Sequence, residues 1–119
     1  MKIKEEDVRC YVPQWGGNRD QDEDSQIVLH LAPMTGGELR AVHRSAIKSD
    51  GQVDINKAQA SIERIIKTRV VKAERCLDIL DNEIIDGEEL WSRAEQSLID
   101  EAYSAITEIS TLRAGLKKG

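Results

Sequence analysis

A chain of 119 residues with a formal charge of −5 has room for one domain with one core, and its acidity argues against a phosphate-binding surface, whose affinity comes mainly from Lys and Arg releasing counterions. Leu, Ile and Val number 29 while Phe is absent, enough to exclude a disordered chain, so the core is expected to be aliphatic with Trp15, Trp91, Tyr11 and Tyr103 as its large rings. No run approaches the roughly 18 apolar residues that cross a bilayer, and the charged Met1-Lys2-Ile3-Lys4-Glu5 start is unlike a secretory signal, so a cytosolic setting with reduced Cys10 and Cys76 is expected.

Val8 to Val12 reads as a short strand, ended by Pro13 and by Gly16-Gly17, which tolerate the positive φ of a turn. The polar Asp20–Asp24 segment is expected to be an exposed loop, and the whole stretch at about 13–25 a mobile arm or loop. In Gln26–Leu31 the alternation sets Ile27, Leu29 and Leu31 on one strand face and Val28 and His30 on the other. Thr35-Gly36-Gly37-Glu38 has capping-box spacing and predicts a helix to about Lys48, with Leu39, Val42, His43, Ala46 and Ile47 on its buried stripe and Ser49-Asp50-Gly51 as its stop. A second helix from about Ile55 carries Ala58, Ile62, Ile65 and Ile66 at helical spacing.

Past Arg69 the apolar period shortens, predicting a third strand with Val71, Ala73, Leu77 and Ile79 on one face. Asp81-Asn82 signals a turn, Glu83–Ile85 a short fourth strand, and Asp86-Gly87-Glu88-Glu89 a helix start rich in acids. From about Glu88 to Leu112 one long helix is predicted, its stripe formed by Trp91, Ala94, Leu98, Ala102, Ile106 and Ile109 and its end by Gly115 and a basic tail. The sum is a single α+β domain over 1–119: a small, mostly antiparallel sheet with three helices, the last one long.

Candidate sites are few. Asp20, Asp22 and Asp24 alternate like calcium ligands, but Ser25 stands where the loop needs Gly and Leu31 where it needs Glu. His30, His43, Cys10 and Cys76 lack the close spacing of a zinc site, and no base stands beside a nucleophile in sequence, so neither metal, cofactor nor catalytic residue is expected. Adjacent carboxylates, Glu88 with Glu89 and Asp100 with Glu101, splay apart on a helix and read as surface charge. The basic stretches Lys67–Lys72 and Arg113–Lys118 read as helix-end complements. Trp15, in a turn flanked by Pro and Gly, either packs back onto the sheet or anchors a partner.

Taken together, Tyr11-Val12-Pro13-Gln14-Trp15-Gly16-Gly17-Asn18, Gln26–Leu29, Asp86–Leu90, Ser97–Glu101, Ala105-Ile106 and Ser110–Lys118 give a chain that resembles the tail assembly chaperones of tailed bacteriophages. The resemblance implies a non-enzymatic, self-associating protein of the bacterial host cytoplasm that keeps a tape measure protein soluble, recruits tail-tube subunits and leaves before the virion matures. Its strand-rich first third departs from the mostly helical pattern of that family. The expected partner surface is Trp15 together with Trp91, Leu98, Ala102, Ile106 and Ile109, read as anchors for a partner helix. Alternatives are a virion component at a head-tail or tail junction, with the Tyr11–Asp24 arm inserted between subunits, and a phage-encoded inhibitor whose acidity mimics nucleic acid against a host defence protein.

Overall fold

The structure, a computed structural model, describes the backbone of residues 8–45 and 55–116 and the side chains of 8–41 and 58–111. The stripe positions Val42, His43, Ala46 and Ile47, the Ser49-Asp50-Gly51 stop, Leu112 and the basic tail from Arg113 lie outside the described residues or side chains.

Strands β1 (Arg9–Tyr11), β2 (Val28–Leu31) and β3 (Val70–Glu74) form an antiparallel sheet with β2 at its centre. Helices α1 (Gly36–Ser45) and α2 (Ile55–Arg69) connect β2 to β3. A separate hairpin, β4 (Cys76–Leu77) and β5 (Glu83–Ile84), follows, and helices α3 (Gly87–Arg93) and α4 (Gln96–Leu116) close the chain. The α+β class and the small antiparallel sheet match the sequence pattern.

Alternation in β2 is as the sequence dictates: Leu29 and Leu31 are fully buried, while Val28 and His30 lie on the opposite, half-exposed face. The core joins Leu29, Leu31, Ile65, Ile66, Val70, Ile84, Leu90, Leu98, Ala102 and Ile106, so helix faces cover one side of the sheet. The capping box at α1 forms both its bonds, Glu38 N–H to Thr35 Oγ1 and Thr35 N–H to Glu38 Oε1, each 3.1 Å. Glu38 also takes a hydrogen bond from Arg69, tying the start of α1 to the end of α2. Burial alone would raise the Glu38 carboxyl, but the bonds from Arg69 and Thr35 outweigh it and hold the group below its ordinary value.

Two expectations are corrected. Val71, Ala73, Leu77 and Ile79 do not share a face: Val70 and Ala73 are buried, whereas Val71, Leu77 and Ile79 are exposed. A register shift between His30 and Leu31 makes Val71 the extra residue of a bulge, and Arg75, at φ 56°, breaks the strand before β4. The terminal helix is also two helices, because Ala94 is extended, with ψ 158°, between α3 and α4. The break lets α3 lie against α2 so closely that a Cβ on Gly87 would stand 2.1 Å from the carbonyl oxygen of Ile66.

Candidate functional site

The first half of the Pro13–Ser25 segment is held by hydrogen bonds to distant residues. Ser97 and Glu101 stand one turn apart on α4, and Glu101 accepts hydrogen bonds from the Tyr11 hydroxyl (2.6 Å) and from the amides of Gln14 (2.8 Å) and Trp15 (3.0 Å). The Trp15 indole N–H donates to Ser97 Oγ at 2.8 Å, and its ring packs against the core. Asn18, only 3% exposed, donates to the carbonyls of Pro13 and Ile27 and accepts from the Ile27 amide, stitching the end of β1 to the approach to β2. Gly16 and Gly17, at φ 59° and 72°, make the turn between these anchors. Trp15 therefore packs back, and the first part of the Tyr11–Asp24 arm, as far as Asn18, is bonded to α4 and to the approach to β2. Glu101, read from sequence as surface charge, is the clamp; the alternation of Asp20, Asp22 and Asp24 leaves all three exposed.

Of the anchor residues expected on the last helix, Leu98, Ala102 and Ile106 are 0–2% exposed and consumed by the core. Trp91 on α3 and Ile109 on α4 are half-buried against the same cluster. Leu98, Ala102 and Ile106 are interior because the sheet face and α2 together cover them, so these three are not available as anchors for a partner helix.

The exposed aliphatic surface lies elsewhere, on the β4–β5 hairpin. Ile79 is 95% and Leu80 77% exposed at its tip, with Leu77 on β4 and Ile85 just after β5 over half exposed, as is Val71 on β3. Turn positions normally carry polar or small residues, so two adjacent, almost fully exposed aliphatic side chains mark a candidate contact surface. The turn is rigidly built. Asp78 Oδ1 accepts from the amides of Leu80 (2.8 Å) and Asn82 (3.0 Å), and the Asp78 amide donates to the Asn82 carbonyl at 2.9 Å. The Asn82 amide above all, with Leu80 and Arg93 adding, holds the Asp78 carboxyl below its ordinary value against partial burial.

Arg93 braces the hairpin against α3. Its guanidinium donates to Asp78 Oδ2 (3.0 Å), to the Glu83 carbonyl (2.8 Å) and to Glu89 Oε1 (3.1 Å). Glu89 in turn accepts from the Ile85 amide, and Asp86 caps α3 by accepting from the Glu89 amide. Exposed Asp81 and Glu83 give the apolar tip an acidic rim.

A second grouping lies on the open face of the main sheet. Cys10 pairs with His30 across β1 and β2, with Cys10 Sγ 3.7 Å from His30 Nδ1, and His30 Nε2 is 2.6 Å from Glu74 Oε2 on β3. Sequence spacing hid this cluster, because its members are 20 and 44 residues apart. Cys76 is buried in the core and its thiol is pushed up by burial; both cysteines are free. Among the described residues, no group of His, Cys, Asp and Glu has the arrangement of a metal site, and no helix is long and apolar enough to cross a membrane.

Comparisons with protein-family models, with curated proteins and with solved structures find no match for this chain.

Proposed function

We propose that this chain is a non-catalytic protein-binding module, an assembly chaperone or adaptor, that engages its partner through the Ile79–Leu80 tip. The observation that carries this reading is the pairing of near-complete exposure at two aliphatic side chains with a turn braced by Asp78 and Arg93. A pre-ordered apolar anchor loses little conformational entropy on binding, so more of its burial appears as affinity. The acidic rim of Asp81 and Glu83 selects a partner whose apolar groove is flanked by Lys or Arg, and it disfavours an anionic membrane surface. A long amphipathic helical protein with basic flanks fits that description. The resemblance to tail assembly chaperones supports a tape measure protein as the partner, with tail-tube subunits recruited to the complex and with self-association of the module.

Co-expression with a tape measure protein tests the proposal. The wild-type chain is expected to hold that protein in the soluble fraction and to co-purify with it. The double variant Ile79→Ser, Leu80→Ser should keep its melting temperature yet lose affinity by about 30-fold or more, the consequence of removing an anchor worth about 2 kcal/mol. Undiminished capture by the folded double variant would move the binding surface elsewhere, and failure of the wild type to capture would end the tail-assembly reading.

A further inference from the structure

Cys10, His30 and Glu74 each come from a different strand of the main sheet: Cys10 stands directly opposite His30, and Glu74, whose register partner is Val28, reaches His30 diagonally past Lys72. Glu74 Oε2 lies 2.6 Å from His30 Nε2, and the hydrogen bond from His30, ahead of the nearby charges of Lys72, His30 and Arg75, holds the Glu74 carboxyl below its ordinary value. An ionised carboxylate only accepts, so the hydrogen of that bond belongs to Nε2. In the neutral ring the remaining nitrogen, Nδ1, is an acceptor, and it faces Cys10 Sγ at 3.7 Å. Nucleophile, base and orienting acid thus stand in the order that activates a thiol. Cys10 itself is exposed, on the sheet face that the helices leave open.

We propose that Cys10 is a nucleophilic thiol, activated by His30 and positioned through Glu74, that undergoes thiol–disulfide exchange with small-molecule disulfides. The exposure of Cys10 suits exchange, since attack on a disulfide develops no oxyanion for the protein to stabilise. It requires an unobstructed in-line approach, and the open face provides one. His30 Nδ1 takes the proton of the Cys10 thiol, and the thiolate sulfur attacks one sulfur of RS–SR. The S–S bond of the reagent breaks as the Cys10–SR bond forms, and the departing RS⁻ takes the proton from the imidazolium as RSH. The Cys10 sulfur is oxidised and the departing thiol reduced, so the exchange balances with the small disulfide as its only oxidant. The modification is stoichiometric and reversible, and it is independent of the hairpin reading. It would plant a bulky polar adduct on the open face among Val12, Val28 and His30.

The test uses the full chain and oxidised glutathione, read by intact mass and peptide mapping, together with iodoacetamide alkylation rates from below neutral pH to about pH 10. The mixed disulfide is expected on Cys10 alone, with buried Cys76 unmodified. His30→Gln should slow alkylation of Cys10 by roughly tenfold near neutral pH, and the difference should vanish above the ordinary thiol value of about 8.5, where the thiolate forms without a base. Glu74→Gln should slow it by a smaller factor with the same pH convergence, which keeps the test available if His30→Gln fails to fold. Equal rates and superimposable pH profiles in the wild type and the folded variants would overturn the assignment, as would modification of Cys10 no faster than that of free cysteine. A Cys10-linked dimer formed in place of the glutathione adduct would overturn the small-molecule part of it.

Discussion

Glu101 illustrates what one side chain can do when three donors converge on it. Its carboxylate collects Tyr11, Gln14 and Trp15, and the Tyr11 phenol is pushed up to about 12 by burial first and by the hydrogen bond and charge of Glu101 next. The folded phenol therefore holds its proton above the ordinary value of 10.0, so the stabilisation is complete below pH 10 and is lost as pH rises toward 12. Ultraviolet titration should show both phenols ionising late, since burial also raises Tyr103, and Glu101→Gln should move Tyr11 alone back toward, though not fully to, the ordinary value, because its burial remains. Gly87 makes a steric demand instead. Gly87→Ala would drive a methyl group onto the Ile66 carbonyl, where the neighbouring atom is backbone and cannot swing aside. Urea unfolding should register a loss of about 3 kcal/mol, the upper end of ordinary overpacking costs.

Elements in this chain are held by bonds between them more than by their own length. The β4–β5 hairpin has two residues in each strand, a size that is marginal alone in water, and it stays closed because Asp78 and Arg93 fasten it to itself and to α3. Arg93→Ala should speed amide exchange at Asp78, Leu80 and Asn82 while leaving β2 unchanged, measurable by hydrogen–deuterium exchange. Asp78 carries a depressed carboxyl value, so its contribution is present above the ordinary carboxylate range and is lost only as pH falls through the lowered value. The tip should therefore remain braced at about pH 3.9, where an ordinary aspartate is half protonated. Slow exchange lost well above that pH would contradict the brace.

The whole molecule carries −5 and presents Val71, Leu77, Ile79, Leu80 and Ile85 to solvent. Like charge opposes association of identical chains, while exposed aliphatic area favours it, and added salt screens the first without weakening the second. Light scattering should show mass rising with concentration in the micromolar range, more steeply at higher salt, and less in the Ile79→Ser, Leu80→Ser variant. A monomeric mass at high micromolar concentration under both salt conditions would count against self-association and weaken the chaperone proposal.

The sequence by itself determined whatever is decided within a few residues. The capping box of Thr35 and Glu38, the alternation of Leu29 and Leu31 against Val28 and His30, the turn glycines and the Asp86 cap all follow from local spacing, because their physics is local. Long-range geometry decided the rest. The stripe of Leu98, Ala102 and Ile106 has the period of either a core or an interface, and only the sheet and α2 closing over it made it core. Nothing in Ser92-Arg93-Ala94-Glu95 forbids a continuous helix; the extended Ala94 accompanies the fit of Gly87 against Ile66. Glu101 became a clamp, and Cys10, His30 and Glu74 a cluster, through contacts spanning 20 to 90 residues. No local period encodes such contacts, since they exist only once strand register and helix packing have brought distant side chains within hydrogen-bonding reach.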